Sequence, residues 1–207
     1  MERRKQRVIV YIDGFNFYYG LRSNDWKRYY WLDIVKFAEN LLRPHQELIE
    51  VCYFSAKSTD NHKSKRQDAF FQVNKSNSKF TLHLGKYLTK NITCRYCHRV
   101  NHSFEEKETD VRIATTMLAD VYQERCDVTL LISADSDLVP SIERIKEFDY
   151  THKIITYFPP NRHSYNLENW SNGVKKLTNK QLYEKCLLPE SITLPDGFVL
   201  KRPEKWK

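Results

Sequence analysis

The chain has 207 residues and a formal net charge of +8, from 34 basic and 26 acidic side chains. This length is enough for one α/β domain with additions and is short for two full domains. No apolar stretch approaches the roughly 20 residues of a membrane span, and the basic start lacks a signal-peptide cleavage site. We therefore expect a soluble, cytoplasmic protein that has no membrane-spanning segment.

The first half of the chain alternates between predicted strands and helices. The run at residues 7–12 is β-branched and lacks alternation, which is typical of a strand covered on both faces. A helix is predicted to begin near Asn16. Apolar spacing then predicts a helix over 32–42, a strand over 48–54, a basic helix over 62–73 and a strand over 80–88.

The second half repeats this alternation after a Cys/His loop, whose cysteines and histidines lie between residues 94 and 103. It contains a predicted helix over 107–125, a strand over 128–132, a helix over 138–148, a strand over 153–157 and an extended tail from about residue 188. Such alternation indicates βαβ units and therefore an α/β fold.

Four aspartates are expected to meet at one edge of the sheet. Asp13 follows the first strand, Asp135 and Asp137 follow the strand at 128–132, and Asp110 lies in the first turn of the helix between them. In βαβ units the helix N-termini and the strand C-termini share an edge. Gathered carboxylates repel one another unless a hard divalent cation such as Mg²⁺ or Mn²⁺ binds them. The pattern therefore predicts metal-dependent chemistry on phosphate.

Each of these side chains also has a structural role open to it. Asp110 can complement a helix dipole, Asp135 can cap the helix that follows it, and Asp13 can be a turn residue. Asn16 can hydrogen-bond a carboxylate or a phosphate oxygen, or it can cap a helix. The presence of four carboxylates at one edge beside a basic region favours the metal site.

Positive charge is concentrated in residues 57–99, called here the basic segment. The segment holds ten basic and two acidic side chains, whereas the rest of the chain is neutral. This charge would attract a polyanion toward the aspartates. The alternative is a solvated helix face without a binding role. Aromatic residues crowd positions 15–31, where some can stack on bases and most are expected in the core. The residues predicted to bind nucleic acid are Lys57, Lys63, Lys65, Arg66, Lys86 and Lys107.

Five scattered cysteines do not resemble a disulfide framework, and we expect reduced thiols. Cys94, Cys97, His98 and His102 offer the two thiolates and two imidazoles that a structural Zn²⁺ site needs. Because His98 follows Cys97 directly, a reduced thiol pair, or zinc completed by residues elsewhere, is an equal alternative.

Three motifs carry a resemblance to a known family. They are Tyr-Ile-Asp-Gly-Phe-Asn-Phe-Tyr-Tyr-Gly at 11–20, Glu-Lys-Glu-Thr-Asp-Val at 106–111 and Ser-Ala-Asp-Ser-Asp-Leu-Val-Pro at 133–140. In this order they resemble the NYN domain family of PIN-like nucleases, and they look closest to its LabA-like, DUF88 branch. The match spans about residues 7–158.

The resemblance implies a PIN-like three-layer α/β/α sandwich with a mainly parallel central sheet. The NYN domain would span residues 1–160, with 89–104 as its Cys/His loop, and residues 161–207 would complete it and end in a basic tail. The resemblance also implies endonuclease activity that depends on Mg²⁺ or Mn²⁺ and acts on RNA, which we expect to be single-stranded.

Carried onto this sequence, the resemblance implies that Asp13, Asp110, Asp135 and Asp137 hold the metal, with Asn16 beside them. The family often has Gly where this chain has Ala134 or Ser136, a departure that leaves the carboxylates in place. The main alternative is a non-catalytic RNA-binding or protein-interaction module of the same fold.

Overall fold

The computed structural model describes residues 4–93, 95–97 and 99–207, with only the backbone of residues 89, 90, 92, 93 and 101–106. In this part of the chain, a seven-stranded sheet lies between two helical layers. The strands are β1 (Gln6–Asp13), β2 (Gln46–Ala56), β3 (Phe80–Thr93), β4 (Val100–Lys107), β5 (Val128–Ile132), β6 (Lys153–Phe158) and β7 (Gly173–Lys176). Their order is β4-β3-β2-β1-β5-β6-β7, and only the β3-β4 pair is antiparallel.

Both faces of β1 are buried, which explains its continuous apolar sequence. The helices are α1 (Gly14–Ser23), α2 (Ile34–Glu39), α3 (Asn61–Lys75), α4 (Thr109–Tyr122), α5 (Val139–Phe148), α6 (Tyr165–Trp170) and α7 (Lys180–Lys185). Val8, Val10 and Ile12 pack in a core with α1, α2, α3 and α7. Ile9 and Tyr11 point to the opposite face and pack in a core with α4, α5 and α6.

The structure confirms the predicted α/β fold with its mainly parallel sheet. Strand β5 has the predicted bounds, and most other predicted elements differ from the observed ones by a few residues. No helix in the described ranges is long and apolar enough to span a membrane.

The sequence interpretation was wrong in two places. Residues 89–93 and 100–104, predicted within the Cys/His loop, instead end β3 and begin β4, whose sequence Val-Asn-His-Ser-Phe-Glu-Glu-Lys lacks a clear apolar alternation. The tail predicted to be extended from residue 188 contains a second, two-stranded sheet of β8 (Ser191–Thr193) and β9 (Val199–Lys201). Strands of three residues are too short to produce a readable period.

The chain reverses its direction across the sheet beside β1. It first adds β2, β3 and β4 on one side of β1, and α4 then crosses the sheet so that β5 pairs with the other side. In parallel α/β sheets, such a switch point leaves a crevice at the carboxyl ends of the strands where ligands bind.

Strand β3 extends beyond the edge of the sheet. Its residues 80–85 pair with β2, whereas residues 86–93 pair only with β4. The two strands therefore form a β-arm, residues 86–93 and 100–107, that continues past the carboxyl end of β2.

Gly14 connects β1 directly to α1 and lies unusually close to β2. A Cβ atom at this position would be 2.5 Å from the carbonyl oxygen of Phe54 and 2.7 Å from the ring of Tyr53. Because a backbone oxygen in the middle of a sheet cannot move aside cheaply, only glycine fits here.

We predict that Gly14→Ala lowers the free energy of unfolding by about 1–3 kcal/mol, the usual cost of overpacking. Urea unfolding measures this. Gly173→Ala is the matched control, because its added Cβ would approach no atom closer than 3.6 Å and should change stability little. Equal stability of Gly14→Ala and the wild type would contradict the close packing.

Candidate metal centre

Three carboxylates converge at the switch point. Ligand oxygens of Asp13, Asp110 and Asp135 all lie within 4.8 Å of one another. Asp13 ends β1 and follows the alternation of Ile9 and Tyr11 toward the α4 face. Asp110 lies in the first turn of α4 and Asp135 just after β5, so three elements supply the three side chains.

Hydrogen bonds fix two of these carboxylates in place. The Asp13 Oδ1 atom accepts from the backbone N–H of Asn16 at 2.9 Å, which caps α1, and its Oδ2 atom accepts from the Ser133 hydroxyl at 2.9 Å. The Ser133 oxygen accepts from the Asp135 N–H at 3.0 Å, and Asp135 Oδ1 accepts from the Asp137 N–H at 3.0 Å. Carboxylate oxygens have further lone pairs, so both groups remain able to bind a cation.

Burial makes the charged form of the Asp13 carboxyl group unfavourable. Asp13 is 3% exposed, and its pKa is raised because burial disfavours the charged form and Asp135 repels it. Hydrogen bonds from Asn16 and Ser133 act in the opposite direction. A group of three carboxylates in this state fits a hard divalent cation with oxygen ligands.

The structure gathers three of the four predicted aspartates. Asp137 is exposed and lies outside the group of ligand oxygens, although its N–H holds Asp135. Asn16 does not cap a helix as one alternative allowed, because Asp13 is the cap of α1. Instead, the Asn16 Oδ1 atom accepts from the Ala134 N–H at 3.3 Å and ties α1 to the loop after β5.

The basic side chains predicted to bind nucleic acid have different surroundings. Lys57 forms an ion pair with Asp68 at 3.0 Å, and Lys86, at the base of the β-arm, forms one with Glu108 at 3.4 Å. Lys107 lies opposite Lys86 in the β-arm. Within the described ranges, no ion pair engages the three on α3, which are Lys63, Lys65 and Arg66.

The predicted zinc ligands are mostly beyond what the structure describes. Cys94 and His98 lie outside the described residues, and only the backbone of His102 is described, opposite Asn91 in the β-arm. Cys97 is an exposed free thiol. The zinc site therefore stays a prediction.

A cleft that the sequence did not predict opens between α1 and α3, on the face of the sheet opposite α4. It has a volume of about 230 Å³ and includes Gly14, the residue after Asp13. We call it the aromatic cleft, because its lining includes Phe15, Tyr18, Tyr19, Tyr30, Tyr87 and Trp206. The crowding of aromatic residues at positions 15–31 was a partial signal for it, whereas nothing in the sequence placed Trp206 there.

The sheet order and the acidic group at its switch point define the class as a PIN-like α/β domain. The NYN domain family model matches residues 7–174. The chain therefore belongs to the NYN domain family. The match extends past residue 158, where the motif resemblance ended, and reaches β7.

Two further comparisons give more distant likenesses. The chain is 23% identical over 239 residues to 6-hydroxy-3-succinoylpyridine 3-monooxygenase HspA of Pseudomonas putida, covering 97% of this chain and 75% of that protein. A crystal structure of a protein of unknown function from Vibrio parahaemolyticus matches with a TM-score of 0.59 and 19% identity, covering 91% of this chain and 99% of that one. The structural likeness supports the fold alone.

We predict that Mn²⁺ raises the melting temperature of the wild type and leaves that of Asp13→Asn unchanged, because a ligand stabilises only the state that binds it. Asparagine caps a helix as well as aspartate does, so the variant should fold. Removal of the repelling charge should make it at least as stable as the metal-free wild type. Thermal unfolding with Mn²⁺ and with a chelator measures both effects.

Asp25→Asn is the control for this measurement. It makes the same chemical change at an exposed residue with a φ of +54°, a conformation that asparagine tolerates. This variant should keep the full Mn²⁺ shift. An equal shift in Asp13→Asn would place the cation elsewhere.

Proposed function

We propose that this protein is an endoribonuclease that depends on a divalent metal and hydrolyses phosphodiester bonds of single-stranded RNA. The observation that carries the proposal is the convergence of Asp13, Asp110 and Asp135 at the switch point of an NYN family domain. Cations on α3 that form no salt bridge in the described ranges support a polyanionic substrate, because they can neutralise backbone phosphates.

In this proposal Asp13, Asp110 and Asp135 hold Mg²⁺ or Mn²⁺. When bound, the cation would polarise the scissile phosphate and make water acidic enough to attack it near neutral pH. Ser133 keeps the Asp13 carboxylate oriented by its hydrogen bond. The exposed side chain of Asp137 is proposed to orient the attacking water. The Asn16 side chain keeps α1 against the loop after β5.

We further propose that residues 1–160 form the catalytic domain and that residues 161–207 complete it. Two observations support the completing role of residues 161–207. Strand β7 pairs with β6 at the edge of the sheet, and Tyr183 of α7 is buried in the core beside α1 and α2. A structural Zn²⁺ at Cys94, Cys97, His98 and His102 is also part of the proposal.

A second candidate function follows from the name of the Pseudomonas relative, which describes oxidation of a hydroxylated pyridine. The aromatic cleft favours this candidate, because its volume suits one small ring. We place it second because binding an aromatic ring does not explain why three carboxylates converge at the switch point.

We predict that purified protein cleaves labelled single-stranded RNA in the presence of Mg²⁺ or Mn²⁺ and that a chelator stops the reaction. Asp135→Asn should reduce the cleavage rate about 100-fold or more, since several kcal/mol of charge stabilisation would be lost. Asp25→Asn should cleave like the wild type. RNA binding without cleavage by the wild type would favour the non-catalytic module instead, and a matched DNA strand tests the sugar preference.

We predict that simultaneous charge reversal at Lys63, Lys65 and Arg66 weakens RNA binding and flattens its salt dependence by about one unit per lost phosphate contact. Affinity measured at several salt concentrations tests this. Lys153→Glu is the control, because Lys153 begins β6 and therefore lies at the opposite edge of the parallel sheet. Equal salt slopes for the triple variant and the wild type would mean that these side chains of α3 are solvated and do not contact RNA phosphates.

A further inference from the structure

The aromatic cleft and the carboxylate group lie at the same edge of the sheet, on opposite faces of it. Gly14 lines the cleft and directly follows Asp13. The cleft lies between α1 and α3, with Ser55 and Ala56 at the carboxyl end of β2 in its wall. A ligand in the cleft would therefore reach the same edge of the sheet as the carboxylates.

The rim of the cleft consists of tyrosines that remain partly accessible. The rings of Tyr18 and Tyr30 have centroids 4.9 Å apart, and Tyr30 packs edge-on against Trp206 at 5.8 Å. Tyr18 and Tyr19 are 36% and 43% exposed. Such rings offer flat apolar faces for stacking and hydroxyl groups for hydrogen bonds.

The C-terminal segment holds Trp206 in this wall. Arg202 is buried, and its guanidinium donates to the carbonyl oxygens of Arg28, at 2.8 Å, and of Trp206. Trp206 lies 188 residues after Tyr18, so tertiary contacts between distant segments form this wall, and it is not only an aromatic stretch of α1.

Positive charge lines the same cleft. Lys63 and Arg66 of α3 are both lining residues, and neither has an ion-pair partner in the described part of the chain. Arg22 of α1 lies over the ring of Tyr19, with 6.0 Å between the guanidinium carbon and the ring centroid. An aromatic wall beside cations that form no salt bridge suits a ligand that is flat at one end and anionic at the other.

The volume restricts the size of this ligand. About 230 Å³ is less than the roughly 300–1,000 Å³ of pockets for drug-sized molecules. The cleft therefore suits one base, and a peptide helix or a duplex is too large for it.

We propose that the aromatic cleft is a nucleobase subsite, in which one base of the RNA stacks on the tyrosine rim while Lys63 and Arg66 bind the phosphate of that nucleotide. The proposal rests on the proposed nuclease function and deepens it, because the subsite would select the nucleotide next to the cleaved bond. Stacking tolerates any base, so the hydroxyl groups of the rim would determine the preference.

Binding of nucleoside 5′-monophosphates to the full chain, in the presence of a chelator, tests the subsite without catalysis. Quenching of tryptophan fluorescence reports occupancy, and Trp206→Phe identifies which tryptophan responds. Ribose 5-phosphate supplies the same phosphate without a base, and benzoate supplies an aromatic acid without a sugar. Tyr18→Leu and Arg66→Gln alter the rim and the cation, and Lys65→Gln, on α3 but outside the lining, is the matched control.

At least one nucleoside monophosphate should bind about tenfold or more tightly than ribose 5-phosphate. Tyr18→Leu should remove most of this advantage. Arg66→Gln should weaken binding of the monophosphate but not binding of the same nucleoside without phosphate, measured as a further ligand. Lys65→Gln should change the binding of neither. Equal binding of ribose 5-phosphate would overturn the subsite, and so would benzoate binding as tight as that of the nucleotides.

The subsite and the proposed function fail in different ways. Base-dependent binding by a protein that cleaves no RNA would support a nucleotide site and overturn the nuclease. Cleavage of RNA without base-dependent binding in the cleft would support the nuclease and overturn the subsite. Asp135→Asn should retain nucleotide binding, because its carboxylate is not among the lining residues.

Discussion

Burial of the Asp13 carboxylate between β1 and β5 is the constraint on which the candidate site depends. A buried negative charge is costly, and its neighbour Asp135 adds repulsion, so the pKa of Asp13 is raised. The local structure offsets part of this cost with the donors of Asn16 and Ser133. Close approach of α1 to β2, which requires Gly14, places the first of these donors. A divalent cation would offset the remainder.

The position of the carboxylates was largely predictable from the sequence. Parallel βαβ topology brings strand ends and helix starts to one edge, so the apolar runs before Asp13 and Asp135 and the helical spacing around Asp110 were sufficient. Asp137 differs for a local reason. Asp135 accepts from its N–H in a short 3₁₀ turn, Ser136–Leu138, and the Asp137 side chain is left at the surface.

Features built from distant segments were not predictable. Strand β4 obtains its hydrogen bonds from β3, so its polar sequence shows little strand periodicity. The aromatic cleft needs Trp206, which the buried Arg202 side chain brings to the region around Arg28. No local pattern of apolar residues reports such a contact, because the partners share neither a helix face nor a strand.

The hydrogen bond between Ser133 and Asp13 joins residues 120 positions apart, which has a consequence for the order of folding. Pairing of β1 with β5 closes a long loop and is intrinsically slow. Any intermediate that lacks docked β5 therefore lacks the Ser133 donor to Asp13 and one of the three carboxylates, that of Asp135. A cation that binds only the completed site would be absent from an early transition state, and it would slow unfolding without accelerating folding. The metal would then increase the kinetic stability of the native state.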